Sequence, residues 1–335
     1  MKKILALIAT VAIASVAWAD AVLINGAGAT FPYPIYSKWF DEYAKINPGV
    51  TFNYQSIGSG GGIKQITAKT VDFGASDGPM TQDQLTAAPG RIYHIPTVMG
   101  ADVLSYNLPG VTTGLKLTGD IIADIYLGKI TKWSDPRIVA ENSGVNIPDQ
   151  GIVVVHRSDG SGTTYIFVDY LSSVSPQWKG KVGKGTSVNW PVGLGGKGNE
   201  GVAGLVKQTP GAIGYVELAY AKQNDLPYAF VKNSSGNYIE PTIDSTSKAA
   251  EGVSIASDFR VSIVNSSNPQ AYPIASFTWL LIYKQMDDHV KGEAIVNFIK
   301  WAITDGQKYC ESLDYAPLPA NVVELIQEKL KQVKY

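Results

Sequence analysis

The sequence predicts an α/β fold in which mainly parallel strands alternate with helices on both faces of the sheet. The first observation is this alternation, because apolar runs such as Ile152–Val155 are followed by segments with apolar residues at helical spacing. The second is the glycine-rich turns between them, since the chain has 34 Gly and 18 Pro. The third is the length, because 335 residues suffice for two lobes that each have a core.

The elements follow from these patterns in chain order. Asn47-Pro48-Gly49 ends the first helix, and Trp190–Gly201 is a glycine-rich loop. The predicted strands are Ala21–Ile24, Val50–Tyr54, Val71–Ala75, Thr97–Asn107, Gly151–Arg157 and Phe277–Tyr283. The predicted helices are Ile35–Ile46, Ile63–Ala68, Asp120–Leu127, Thr163–Val174, Gly201–Gln208, Val290–Thr304 and Val322–Val333. No linker divides the chain, as expected for two lobes joined by crossing strands.

Residues 1–19 have the pattern of a secretory signal peptide. Lys2 and Lys3 precede an apolar run, and small residues stand at Ala17 and Ala19, so we predict cleavage after Ala19. A membrane anchor is the alternative, but the run is shorter than the roughly 18 residues that span a bilayer. Removal takes away two lysines and no acids, which leaves 26 basic and 29 acidic residues and a net charge of −3. An anion would therefore have to be bound by local groups rather than by the overall field.

The composition also limits the class of protein. Only 17% of the residues are charged, which argues against a disordered chain and against a nucleic-acid partner. The single cysteine, Cys310, cannot form an internal disulfide. We expect it to be a small core residue within the helical pattern of Trp301–Leu313, and a reactive thiol is the other interpretation.

Four loops have the same design. Each follows a predicted strand, is rich in Gly, Ser or Thr, and precedes a helix, whose first N–H groups are unpaired and carry partial positive charge. Glycine lets such a backbone approach an anion closely, and hydroxyls add neutral donors. In open α/β sheets these loops meet at the carboxyl ends of the strands. The loops are Gly26–Phe31, Gly58–Gly62, Gly74–Gly78 and Arg157–Thr163.

Several other kinds of site are excluded. Gly26 and Gly28 begin a dinucleotide fingerprint, but Phe31 stands where its third glycine is required, and no acidic ribose partner follows near position 50. No Walker A motif, paired-cysteine or HExxH metal pattern, or Gly-x-Ser-x-Gly elbow occurs in the sequence. We therefore expect no cofactor, no metal site and no catalytic residues.

Arg157 is the strongest single candidate for contact with an anion. It is one of four arginines and stands at the end of a buried strand, before Gly160-Ser161-Gly162-Thr163. Its guanidinium can hold a tetrahedral oxyanion with two parallel hydrogen bonds. The alternative is a structural partner for Asp159, and both can hold if Asp159 orients the arginine.

Asp77 is unexpected in an anion site, because a carboxylate repels its ligand. It becomes useful if the ligand still carries a proton, as hydrogen phosphate does and sulfate does not. Sites built to bind a ligand hydrogen-bonding group can reject analogues that lack it by about 10⁴–10⁵-fold. The alternative is that Asp77 caps the following turn.

At these residues the chain closely resembles the periplasmic phosphate-binding protein of bacterial phosphate ABC transporters. The resemblance covers most of the chain after residue 19. The stretches that carry it are Gly26–Lys38, Ile57–Gln65, Thr70–Asp77, Asp124–Trp133, Arg157–Thr163, Trp190–Gly201 and Gly211–Asn224.

The resemblance implies a set of phosphate contacts. Thr30 and the backbone of Phe31 would bind from the first loop, Ser59 from the second, and Asp77 would accept the phosphate proton. Arg157 would pair with the anion, Asp159 would lie beside it, and Ser161, Gly162 and Thr163 would add hydroxyl and backbone donors. The family often has Ser-Ser-Gly-Gly where this chain has Ser59-Gly60-Gly61-Gly62, a departure beside the expected contacts.

The resemblance also implies a two-lobed type-2 periplasmic-binding-protein fold with two hinge-crossing strands. Residues 20–99 with 258–335 would form the first lobe, and residues 100–257 the second lobe. The protein would be a monomer in the periplasm that binds inorganic phosphate, closes, and docks on the permease subunits of a phosphate ABC transporter. No role follows for the loop Gly193–Gly201.

Three rival interpretations stay open. An exported phosphatase or other hydrolase on the same scaffold is the first, although it lacks an evident nucleophile or metal cluster. A binder of sulfate or molybdate is the second, and Asp77 argues against it because neither ligand presents a proton at neutral pH. A surface adhesion protein is the third, and nothing long, repetitive or anchored supports it.

Overall fold

The computed structural model describes residues 21–335, so the signal peptide and its cleavage after Ala19 lie outside the described residues. The strands are β1 Val22–Gly28, β2 Val50–Ser56, β3 Phe73–Ser76, β4 Ile92–Tyr106, β5 Lys116–Leu117, β6 Val153–Arg157, β7 Leu194–Gly196, β8 Ala212–Glu217, β9 Phe230–Lys232, β10 Tyr238–Ile239 and β11 Ala275–Tyr283. The helices are α1 Tyr33–Ile46, α2 Ser59–Thr67, α3 Gln82–Ala87, α4 Gly119–Tyr126, α5 Pro136–Glu141, α6 Gly162–Val174, α7 Pro176–Lys181, α8 Gly198–Gln208, α9 Leu218–Gln223, α10 Ile243–Ala250, α11 His289–Ala302 and α12 Ala320–Leu330. Strands and helices alternate through most of the chain, as the sequence predicts.

Eight strands form one mixed sheet in the order β2-β1-β3-β11-β4-β8-β6-β7. The pairs β1–β2, β1–β3, β6–β8 and β6–β7 are parallel, whereas β11 and β4 run antiparallel to their neighbours. A small second sheet has the order β10-β9-β5. The parallel pairs thus lie on both sides of an antiparallel centre, and we name these the β11 side (β1, β2, β3, β11) and the β8 side (β6, β7, β8).

Strand β4 joins the two sides. Its residues 92–101 pair with β11, and residues 102–106 pair with β8. All 15 of its residues are buried, which explains why it has no polar alternation in the sequence. It begins at Ile92, five residues before the predicted start, so it continues through Pro96. Pro96 has no N–H to pair, and the strand accommodates it where its register with β11 shifts, between Thr278 and Trp279.

Each side of β4 has its own group of packed aromatic rings within one continuous hydrophobic core. On the β11 side, Phe40 stacks on Phe52 with ring centroids 4.7 Å apart. On the β8 side, Phe167 stacks on Tyr215 at 4.4 Å. Aromatic pairs of this kind add about 0.5–1.5 kcal/mol beyond the area that they bury. The β11 side and the β8 side are thus each packed around aromatic rings of their own.

Further local predictions change in the structure, at α2 and at Cys310. Helix α2 begins at Ser59, so the three glycines form its first turn instead of a loop. A Cβ on Gly62 would lie 2.6 Å from the Cα of Gly28, so only glycine lets this helix pack directly on β1. Cys310 is buried as predicted, but it lies between two short 3₁₀ turns, Asp305–Tyr309 and Glu311–Leu313, after α11 has ended. Burial raises the pKa of its thiol to about 12, which suits a core residue.

Candidate anion-binding site

The candidate site lies where loops from both sides of the sheet meet at the carboxyl ends of their strands. The loops after β1, β2 and β3 supply Thr30, Ser59 and Asp77 from the β11 side. The loop after β6 and the start of α6 supply residues 157–163 from the β8 side. All the predicted contact residues are buried: Thr30, Phe31, Ser59, Asp77, Arg157, Ser161, Gly162 and Thr163. The structure therefore buries every predicted contact residue in the loops that meet at this edge of the sheet.

Ser59 connects the two sides at the centre of the site. It is the first residue of α2, and its Oγ accepts a hydrogen bond from the backbone N–H of Gly162 at 3.0 Å, where α6 begins. The same oxygen accepts the N–H of Asp77 at 3.2 Å, and the Ser59 hydroxyl lies 3.4 Å from Asp77 Oδ2. Two helix N-termini and one carboxylate thus meet at a single hydroxyl.

Asp77 is 1% exposed, and burial raises its pKa to about 7. The hydroxyl of Thr278 donates to its Oδ1 at 2.7 Å. This hydrogen bond, the nearby Arg157 charge and Ser59 act in the opposite direction and favour the ionised form. The carboxyl group can consequently hold or release a proton near neutral pH.

Arg157 is held in a fixed orientation. Its Nε and Nη2 donate to the two oxygens of Asp159 at 2.8 and 2.6 Å, and its Nη1 donates to Thr163 Oγ1 at 3.2 Å. Burial raises the pKa of Asp159, but the ion pair with Arg157 and the N–H of Gly198 at 3.1 Å outweigh it and lower the pKa below its usual value. The structural pairing with Asp159 expected from the sequence is present, and the guanidinium remains in the site.

The start of α6 is capped by a side chain of its own and packs closely on Asp77. Ser161 is its N-cap, and the Ser161 Oγ accepts the N–H of Thr164 at 3.0 Å. Gly162 lies directly against Asp77, since a Cβ there would be 2.6 Å from the Asp77 backbone nitrogen. No other residue type allows α6 to approach the carboxylate this closely.

Thr30 and Phe31 are fixed through their carbonyl groups. The hydroxyl of Tyr220 donates to the carbonyl of Thr30, and that of Tyr315 donates to the carbonyl of Phe31, both at 2.6 Å. Tyr220 follows β8, so the first of these bonds also joins the two sides. The backbone at the start of α1 is therefore held in place by buried tyrosines.

The two sides are in contact around the site. The N–H of Gly60 donates to the carbonyl of Gly160 at 2.8 Å. A Cβ on Gly60 would lie 3.0 Å from the Cα of Gly160, so the departure from the Ser-Ser-Gly-Gly pattern falls at a backbone-to-backbone contact. The backbones of the two sides therefore touch directly beside the candidate site.

Sequence reasoning missed three groups. Asn199 and the N–H of Gly198 lie in the segment Gly193–Gly201, which the sequence predicted as a loop without a role, and the structure places both in the first turn of α8. Gly198 has a positive φ of +72°, which explains why a glycine stands at this position. Thr278 lies inside β11, and no motif in the sequence distinguishes it from other strand residues.

The site combines one guanidinium, several hydroxyls and backbone N–H groups with one acceptor that can be ionised. Such a set matches a small tetrahedral oxyanion that also carries a proton. Among residues 21–335, no group of three or more His, Cys, Asp or Glu side chains is placed to hold a metal ion. In the same range, no helix has the length and hydropathy needed to cross a membrane.

Comparison with known proteins relates the chain to binding proteins. The PBP superfamily domain matches residues 14–306. The chain is 48% identical over 309 residues to the phosphate-binding protein PstS of Xylella fastidiosa, with 91% of this chain and 84% of that protein covered. It is 47% identical over 315 residues to the phosphate-binding protein PstS of Pasteurella multocida, with 93% and 91% covered.

A solved structure shares the fold. The crystal structure of a phosphate binding protein from Stenotrophomonas maltophilia matches with a TM-score of 0.70 at 18% identity, over 92% of this chain and 94% of that chain. At this identity the match concerns the fold alone, which is the type-2 periplasmic-binding-protein fold that the sequence predicts.

Proposed function

The chain belongs to the PBP superfamily and, within it, to the phosphate-binding proteins named PstS, and on this premise we propose that it binds inorganic phosphate for uptake by a membrane ABC importer. The ligand contacts in this proposal are Thr30, Phe31, Ser59, Asp77, Arg157, Ser161, Gly162 and Thr163, with Asp159 orienting Arg157. The protein carries its ligand without turnover, as a solute-binding subunit does.

The observation that carries the proposal is Asp77. A carboxylate with a pKa of about 7, enclosed with Arg157 and backbone donors, suits a ligand that shares a proton with it. Hydrogen phosphate has such a proton at neutral pH, and sulfate has none. The guanidinium of Arg157 then offsets the negative charge of the ligand.

The two-lobe division is part of the proposal. The first lobe comprises residues 20–99 and 258–335, and the second lobe comprises residues 100–257. Support comes from β4, whose partner strand changes from β11 to β8 between Ala101 and Asp102. Phosphate binding stabilises the closed arrangement, in which Gly60 contacts Gly160, and this form docks on the permease subunits.

The proposal places the protein in the periplasm as a monomer, after removal of residues 1–19. The pattern at Lys2, Lys3 and Ala19 supports export. Mass spectrometry of the protein purified from the periplasmic fraction tests this part, since the chain should then begin at Asp20.

Calorimetry of the anion-free chain with phosphate, sulfate and molybdate tests the ligand. Tight one-to-one binding of phosphate with negligible heat from the other two is expected. Equal binding of all three would replace the proposal with a general oxyanion binder. Steady release of product from a chromogenic phosphate ester, lost in Asp77→Asn and Arg157→Lys, would instead favour the hydrolase.

A further inference from the structure

Asn199 connects three parts of the candidate site through one fully buried side chain. Its Nδ2 donates to Thr30 Oγ1 at 2.7 Å and to Thr163 Oγ1 at 3.1 Å. Its backbone N–H also donates to Thr30 Oγ1, at 3.2 Å. Its Oδ1 accepts the backbone N–H of Glu217 at 2.9 Å. A residue of α8 thus joins the loop after β1 to the first turn of α6.

These bonds decide what the two threonine hydroxyls can do. A hydroxyl has one proton to donate and two lone pairs that accept. Thr30 Oγ1 accepts two N–H groups of Asn199, and Thr163 Oγ1 accepts one from Asn199 and one from Arg157. Among residues 21–335 neither hydroxyl donates to a protein acceptor, so each proton remains for another partner.

We propose that Asn199 is a positioning residue that holds the hydroxyls of Thr30 and Thr163 as donors to the bound phosphate. The inference rests on the proposed function and adds to it the residue that sets the direction of two ligand hydrogen bonds. Because these two hydroxyls come from opposite sides of β4, Asn199 also stabilises the closed arrangement. We expect its loss to act mainly on the dissociation rate of phosphate.

The orientation of the amide is fixed by its neighbours. The N–H of Glu217 can only donate, so the atom of Asn199 that faces it must be Oδ1, and Nδ2 must face the hydroxyls. An aspartate at this position would present an acceptor to both hydroxyls. Their protons would then turn away from the phosphate, and a second buried negative charge would face the anion.

The test compares Asn199→Ala and Asn199→Asp by calorimetry and stopped-flow dissociation of phosphate from the full chain. Removal of the hydrogen-bond donors leaves buried hydroxyls unsatisfied, and we expect about 10–100-fold weaker binding for Asn199→Ala. We expect a larger loss for Asn199→Asp, although it has nearly the same shape. A purely structural role would give the opposite order, because the isosteric variant fills the same space.

Asn142→Ala is the matched control. Asn142 is also buried and makes three hydrogen bonds, to Lys116 and Ile138, outside the candidate site. We expect it to lower the unfolding temperature and to leave the affinity for phosphate unchanged. An equal loss of affinity in Asn142→Ala would overturn the inference, because general destabilisation would then explain the effect.

A double-mutant cycle with Thr163→Val tests whether Asn199 acts on phosphate through the threonine hydroxyls. If Asn199 acts through both hydroxyls, Asn199→Ala should have a smaller further effect once the Thr163 hydroxyl is gone, because only the Thr30 hydroxyl then remains for it to orient, so the two losses are sub-additive. Fully additive losses, or Asn199→Asp with unchanged affinity, would overturn the inference. Absence of phosphate binding by the unsubstituted chain would instead refute the proposed function, and the two failures are thereby distinguished.

Discussion

Replacement of Asp77 by asparagine tests whether the site recognises the proton of its ligand. In the structure, Oδ1 of Asp77 accepts the Thr278 hydroxyl, and the other oxygen lies near Ser59 and α6. In Asp77→Asn, the carbonyl oxygen keeps the Thr278 bond, and the amide presents N–H donors on the other side. Sulfate then faces a donor where it faced a carboxylate.

The expected magnitude follows from unpaired buried groups. An unsatisfied buried acceptor costs about 1–3 kcal/mol, and more when it is charged. Because Asp77→Asn removes the contact between the sulfate oxygens and the Asp77 carboxylate, we expect sulfate to bind about 10–100-fold more tightly. Phosphate loses its acceptor but can turn an unprotonated oxygen to the amide, and we expect about tenfold weaker binding. The discrimination between the two anions should therefore fall steeply.

The pH dependence of sulfate binding tests the role of Asp77 independently. The pKa of Asp77 is about 7, so its protonated fraction grows as the pH falls below 7. Protonated Asp77 can donate a hydrogen bond to sulfate. The affinity of the unsubstituted chain for sulfate should therefore increase as the pH is lowered from 8 to 5.5. In Asp77→Asn no proton is gained at this position, and this rise should be much smaller.

Calorimetry with sulfate and phosphate at both pH values measures these changes. Asp72→Asn is the control, because Asp72 directly precedes β3 and Asp77 directly follows it. At that opposite end of the strand, Asp72 accepts the N–H of Asn25 and pairs with Lys291. It should leave the discrimination unchanged. If Asp77→Asn binds phosphate and still rejects sulfate as strongly as the unsubstituted chain, the reasoning about the shared proton is wrong.

Three further changes have defined outcomes. Arg157→Lys loses the forked contacts, and we expect about 10–100-fold weaker phosphate binding by calorimetry. Gly162→Ala places a Cβ against Asp77 and should cost about 1–3 kcal/mol of unfolding free energy in urea titrations, whereas Gly180→Ala, with open space around it, should be neutral or stabilising. Asp102→Val should raise the melting temperature, because neither oxygen of Asp102 has a hydrogen-bond partner within residues 21–335. The increase should be larger at pH 8 than at pH 5, because burial holds the pKa of Asp102 well above its usual value.

The sign for Asp102 follows from proton linkage. The folded state keeps the proton to a higher pH than the unfolded state, so Asp102 destabilises the fold increasingly as the pH rises above about 4 towards its raised folded pKa. Valine removes this cost. An equal gain at both pH values would contradict the titration of Asp102. Unchanged phosphate affinity in Arg157→Lys would contradict the proposed contact of Arg157 with phosphate. Unchanged stability in Gly162→Ala would contradict the close packing of Gly162 on Asp77.

Much of the site could be predicted because its residues occur in short contiguous motifs. Gly58–Gly62 and Arg157–Thr163 each place a hydroxyl and a helix start within a few residues, so local chemistry is visible without the fold. The predicted α/β class and the burial of Cys310 are confirmed for the same reason, since periodicity and local apolar context are properties of neighbouring residues. The individual ligand roles and the lobe boundaries stay predictions.

The sequence by itself determined the class of fold, the loops that carry donors and the pairing of Arg157 with Asp159, which are two residues apart. Only the tertiary structure decided that Thr278, 201 residues away, donates to Asp77, and that Asn199 bonds to Thr30, 169 residues away. It also decided the pKa of Asp77, because burial between two sides of a sheet sets the cost of its charge. Hydrogen bonds and desolvation depend on distance in space, which a linear pattern encodes only for near neighbours.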